Sequence, residues 1–167
     1  MLIIAVLLST SADPCVTRPL GWTCAAQKIS QRSEDERGMI YTILEAEAAN
    51  DAKRLDVSTP VDRCWTAKVV GFEYAMLTMA TPKGSKLHSY YNRVSSAYQT
   101  RVAGKLNDDG LVSALRGMAR PHSAPPTEAA MISALEGELS GLIDRAANAL
   151  IANAKAAATS FRPECAI

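Results

Sequence analysis

Four stretches of this chain carry apolar residues at three- and four-residue steps, and each opens on a helix-start signal. That combination restricts the chain to helical packing. Ser33-Glu34-Asp35-Glu36 reads as a capping box, in which the serine oxygen accepts from an early amide and Glu36 reaches back. Behind it Ile40, Ile43, Leu44, Ala48 and Leu55 recur at helical spacing up to Asp56. Thr59-Pro60-Val61-Asp62 opens the second helix, with proline at the first helical position, where its missing donor does no harm. Its apolar stripe is Val61, Trp65, Val69, Phe72, Met76 and Met79, and Pro82-Lys83-Gly84 ends it. Ser85 caps a third helix carrying Leu87, Tyr91, Val94, Tyr98 and Val102.

Asn107-Asp108-Asp109-Gly110 is a turn, followed by a short helical stretch with Leu111, Leu115 and Met118. Pro121, Pro125 and Pro126 bracket a loop. The last helix is predicted to run unbroken from Thr127 to Ser160, with Met131, Leu135, Leu139, Leu142, Ala146 and Leu150 inward. The expected fold is all-α: a four-helix-bundle-like domain with one extra short helix and a disulfide-tied N-terminal segment. For residues 13–32 the pattern leaves two readings, a disulfide-tied loop or an early helix from about Pro19. Aromatics are only 5% of the chain, so close packing through alanine is expected, with Trp65 and Phe72 as the core anchors of the second helix.

Leu2 to Leu8 read LIIAVLL, too short to span a bilayer, which takes about 20 apolar residues as a helix. The run has the length of a signal-peptide core, and Thr10-x-Ala12 supplies small residues for cleavage, although no basic residue precedes it. The reading is therefore a signal peptide over 1–12 and a single helical domain over 13–167, periplasmic or secreted. In such a compartment Cys15, Cys24, Cys64 and Cys165 are expected to form two disulfides, whose connectivity the sequence does not choose. The cysteines lack zinc-ligand spacing, and no cofactor or metal is expected.

No motif specifies a chemistry. The histidines, His88 and His122, lack a nucleophile elbow and read as surface residues. Met76 and Met79 share a helical face, where core filling outweighs a soft-metal role. Glu73 lies beside the apolar stripe; as a buried group it would serve as an acid or base, but pairing with Lys68 or exposure is the simpler expectation.

Charge distribution says more. Ser33–Asp62 holds eight acids against three bases, whereas Lys83–His122 holds seven bases against two acids. A formal net charge of +1 therefore hides a polarised molecule. Tyr90, Tyr91 and Tyr98 lie among those bases, and Arg93 and Arg101, eight residues apart, share one side of a helix. Arg93, Arg101, Tyr90 and Glu73 are the candidate ligand-binding residues. The expected function is that of a small exported binding module, its partner an anionic envelope component or a protein and not nucleic acid. The alternative is an enzyme with a bundle-crevice site for a small anionic substrate. The simplest use of Arg93 and Arg101, however, is to neutralise the acidic first helix.

Overall fold

A computed structural model describes Cys15 and residues 21–56 and 59–160. The proposed signal peptide, the cleavage point and Cys165 lie outside the described residues. The described chain is all-helical. Its α-helices are α1 (Trp22–Ser30), α2 (Glu34–Ala52), α3 (Pro60–Ala80), α4 (Lys86–Val102), α5 (Asp108–Arg116), α6 (Glu128–Leu135) and α7 (Gly137–Ser160), with a 3-10 turn at Lys53–Asp56 after α2.

The start signals act as the sequence implies. Ser33 accepts from the Glu36 amide while Glu36 accepts from the Ser33 amide, completing the capping box. Thr59, Ser85, Asn107 and Thr127 cap α3, α4, α5 and α6 through their side-chain oxygens. Each cap satisfies an amide that has no partner within its own helix.

The four long helices α2, α3, α4 and α7 build a bundle-like core, in which α3 packs against the other three and against α1. Helices α3 and α4 approach closely at Gly71. A Cβ built there would stand 3.1 Å from the Tyr98 Cβ, and Ser95 Oγ donates to the Gly71 carbonyl at 2.8 Å. Helix α7 presents Ala146, Ala149, Ala154 and Ala158 inward, the close packing that an alanine-rich chain permits. Val69, Ala154 and Ala158 form a small second cluster, with Phe72 and Met76 packed on it.

Several core assignments change. Trp65 is 41% exposed, and Val61 and Met79 are exposed as well. Phe72 is half-buried. The stripe through these residues is a rim because the most enclosed side of α3 passes through Ala67, Val70, Tyr74 and Leu77. The tryptophan that anchors the core is Trp22 on α1, 4% exposed, whose Nε1 donates to the Met76 carbonyl at 3.1 Å. Residues Trp22–Ser30 are thus helical, which settles that part of the ambiguous N-terminal segment. Among the described residues Tyr41, Tyr74, Tyr91 and Tyr98 supply the remaining buried rings, with Tyr74 stacked on Tyr98 at 6.2 Å and tilted against Tyr91 at 5.9 Å.

The last helix is two helices. Glu136 is extended (φ −131, ψ 148) and Gly137 has φ +73, so the chain turns between α6 and α7. Glycine adopts that left-handed conformation without the steric penalty other residues incur. Leu139, Leu142, Ala146 and Leu150 stay inward as expected, but Met131 and Leu135 are exposed, the latter at 81%. Cys15 and Cys24 form a disulfide with Cα atoms 5.1 Å apart, and Cys64 is also disulfide-bonded.

Candidate functional site

The α3–α4 connection begins the site. Pro82 ends α3, Gly84 turns the chain at φ +82, and Ser85 N–H donates to the Pro82 carbonyl. Ser85 Oγ then accepts from the His88 amide, and α4 starts at Lys86. On the other side runs the segment after α5. It is tied down by Arg120, whose Nε donates to Glu45 Oε2 on α2 at 2.7 Å. The same carboxylate oxygen accepts from Tyr91 OH at 2.9 Å, and Arg120 NH1 also reaches Ser123 Oγ at 3.3 Å.

Between these two segments lies a cleft of about 850 Å³ lined by Gly84, Lys86, His88, Ser89, Asn92, Arg93, Ala119, Arg120, Pro121 and His122. Both histidines of the chain line it, and among the described residues no carboxylate does. Among the described residues neither Lys86 nor Arg93 has a carboxylate within ion-pair distance. His88 Nδ1 stands 3.4 Å from Thr81 Oγ1, whose hydroxyl donates to the Thr78 carbonyl at 2.9 Å. With that proton engaged, Thr81 is placed to accept from Nδ1, leaving Nε2 as the remaining polar atom of the ring. Burial works against the Arg120 charge, but the hydrogen bond and charge of Glu45 outweigh it and raise the guanidinium's pKa.

The four sequence-predicted ligand candidates fall in different places. Arg93 lines the cleft, and half-buried Tyr90 lies near Arg93, Arg120 and Glu45. Burial, with Glu45 adding to it, raises the Tyr90 pKa. Arg101 is at the far end of α4, where its Nε donates to Asp108 Oδ1 at 2.7 Å; Arg63 approaches the other oxygen of Asp108 at 3.6 Å. The expected pairing of Arg93 and Arg101 with the acidic first helix is therefore not what forms. Arg120 makes the link from the basic segment to α2 instead, through Glu45, because the loop after α5 returns beside that helix.

Glu73 does not line the cleft. It is fully buried, and neither carboxylate oxygen has a hydrogen-bond partner among the described residues. The expected pairing with Lys68 or exposure to solvent is thus overturned: the position faces inward between α3 and its neighbours. Burial raises its pKa most. The nearby Asp51 carboxylate raises it further as a like charge, Lys155 opposes it, and Glu47 adds to the rise. The result is about 8, so at neutral pH the group is mainly the uncharged acid.

His88, His122, Lys86 and Arg120 are functional candidates that single-residue reasoning passed over. The signal was present in the basic segment Lys83–His122, which contains both histidines; their convergence depends on the α5 excursion and return. Among the described residues no group of His, Cys, Asp and Glu is arranged to hold a metal, and no helix is long and apolar enough to cross a membrane. No family, curated protein or solved structure matches the chain.

Proposed function

We propose that this chain is a small exported, disulfide-bonded helical binding module, periplasmic or secreted, whose ligand is anionic and occupies the cleft between the start of α4 and residues 119–122. One observation carries the reading: three cationic side chains and both histidines line one cleft that, among the described residues, no carboxylate lines. Such a lining focuses positive potential on a concave surface and favours anions over neutral or cationic ligands. The Cys15–Cys24 bond and the bonded state of Cys64 support an oxidising compartment.

The catalytic alternative has less support. Glu73, an acid with strongly altered proton affinity, is not among the residues lining the cleft, and Arg101 is engaged by Asp108. The test is titration of the disulfide-intact protein with inorganic phosphate and with citrate, followed by nuclear magnetic resonance at low and at physiological salt. Binding that moves the His88 and His122 signals, weakens with salt and is lost in an Arg93→Gln/His122→Gln variant is expected. Absence of binding by both anions would sink the proposal. Export is tested separately by the intact mass of protein recovered from the periplasm of a bacterial host, where a chain starting near Asp13 without free thiols is expected.

A further inference from the structure

This inference rests on the anion-binding reading and sharpens it. We infer that the cleft takes a phosphomonoester: a phosphoryl group carried on a hydroxyl-rich body of the sugar or polyol type.

The charge balance is the first argument. Glu45 neutralises Arg120, whereas Lys86 and Arg93 have no carboxylate partner among the described residues. Two positive charges are therefore uncompensated along this side of the cleft. A phosphomonoester carries a charge of about −1.5 to −2 at pH 7, which matches them, whereas one carboxylate would leave a charge over.

Donor geometry is the second. Ser85 satisfies the His88 amide and leaves those of Lys86 and Leu87, the first two of a 17-residue helix, to other acceptors. Anions are stabilised at such a terminus by the exposed amides and by the helix dipole. Lys86 and Arg93 add donors from α4 itself, and His122 faces them from the opposite wall, beside Arg120, whose guanidinium is engaged by Glu45, the Pro121 carbonyl, Ser123 and Thr42. Donors arriving from both walls suit three terminal oxygens in a tetrahedral array better than the two coplanar oxygens of a carboxylate.

The third argument is what the remaining space offers. About 850 Å³ is far more than a bare phosphate ion fills, and lies within the range of small-molecule sites. Ser89 and Asn92 provide both donors and acceptors, as hydroxyl groups require. Among the described residues no Phe, Tyr or Trp lines the cleft, and its apolar side chains are Ala119 and Pro121, too little for an acyl chain.

The experiment is calorimetric titration of the full, disulfide-intact chain with glucose 6-phosphate, inorganic phosphate, glucose and citrate. Glucose 6-phosphate should bind most tightly, inorganic phosphate more weakly, and citrate more weakly still; glucose alone should not bind. Arg93→Gln, at an exposed position that does not contribute to the core, should weaken glucose 6-phosphate by about tenfold or more, the worth of one charge-assisted hydrogen bond. Citrate binding as tightly as glucose 6-phosphate would overturn the phosphoryl assignment while anion binding stood. Equal affinity for glucose 6-phosphate and inorganic phosphate would overturn the hydroxyl-rich body. If none of the anions binds, both readings fall together.

Discussion

Arg120 Nε lies 2.7 Å from Glu45 Oε2, closing a span of 75 residues between the loop after α5 and the middle of α2. The pair is only partly exposed, at 31% and 14% of the two side chains, so water screens it less than it would a surface pair. It also determines one wall of the cleft, because the loop that carries Pro121 and His122 is anchored there. Glu45→Ala would leave the Arg120 guanidinium and the Tyr91 hydroxyl without their acceptor. The expected cost is about 1 to 3 kcal/mol in denaturant unfolding, with faster amide exchange in residues 118–124 than elsewhere. A coupling energy near zero in a double-mutant cycle with Arg120→Ala would show that the contact holds nothing in place.

The two tryptophans should respond in opposite ways. Trp22 is buried and bonded to the Met76 carbonyl, so Trp22→Ala removes a large ring from the junction of α1, α3 and α7 and should cost about 3 to 5 kcal/mol. Trp65 is 41% exposed, and Trp65→Ala should cost about 1 kcal/mol or less. Thermal denaturation of both variants gives the ranking. In fluorescence, the Trp65→Ala protein should emit at shorter wavelength than the parent, since only the buried indole remains. A larger loss for Trp65 would restore it to the core.

These tryptophans mark where sequence reasoning reached its limit. Helix starts were legible because Ser33, Thr59 and Ser85 act through their own neighbours, three residues away. Periodicity defines an apolar stripe but not which edge of it other helices cover. On α3 the enclosed side was offset from the stripe drawn through Trp65 and Met79, because α2, α4, α7 and α1 surround it unevenly. The site behaved likewise. Arg93 was identifiable from the run of bases. Its convergence with Arg120 and His122 was not, because α5 and the loop must first return the chain to α4. Glu73 was readable as a candidate acid, but its complete enclosure depends on packing from other helices.

The break between α6 and α7 depends on a conformation that one residue type adopts freely. Thr127–Ser160 has the composition of a continuous helix, yet Gly137 sits at φ +73. No atom lies within 4 Å of a Cβ built there, so Gly137→Ala meets backbone strain without steric crowding. That strain is about 1 to 2 kcal/mol, and the variant should melt at lower temperature with unchanged helical content. A raised melting temperature with stronger helical circular dichroism would mean that alanine lets α6 and α7 merge.

The last prediction concerns Glu73, whose folded-state pKa is about 8 against an ordinary value of 4.5. An acid whose pKa is raised on folding holds its proton more tightly in the native state than in the unfolded chain. Below about pH 4.5 both states are protonated and the group has no effect on stability. As pH rises through the interval up to about 8, the unfolded chain releases the proton and the native state retains it, so native stability falls steadily. Above about pH 8 both are ionised, the loss is complete, and it amounts to roughly 5 kcal/mol by linkage. Glu73→Gln keeps the shape and removes the titration. The variant should gain on the parent as pH rises, by several kcal/mol between about pH 5 and pH 8.5, and the gain should then level off. Urea unfolding of both proteins across that range measures the difference directly, because every other titrating group is common to the two chains. A parent-minus-variant difference that stays constant with pH would show that Glu73 is solvated or paired in the folded protein, and that its enclosure between α3 and its neighbours is not as described.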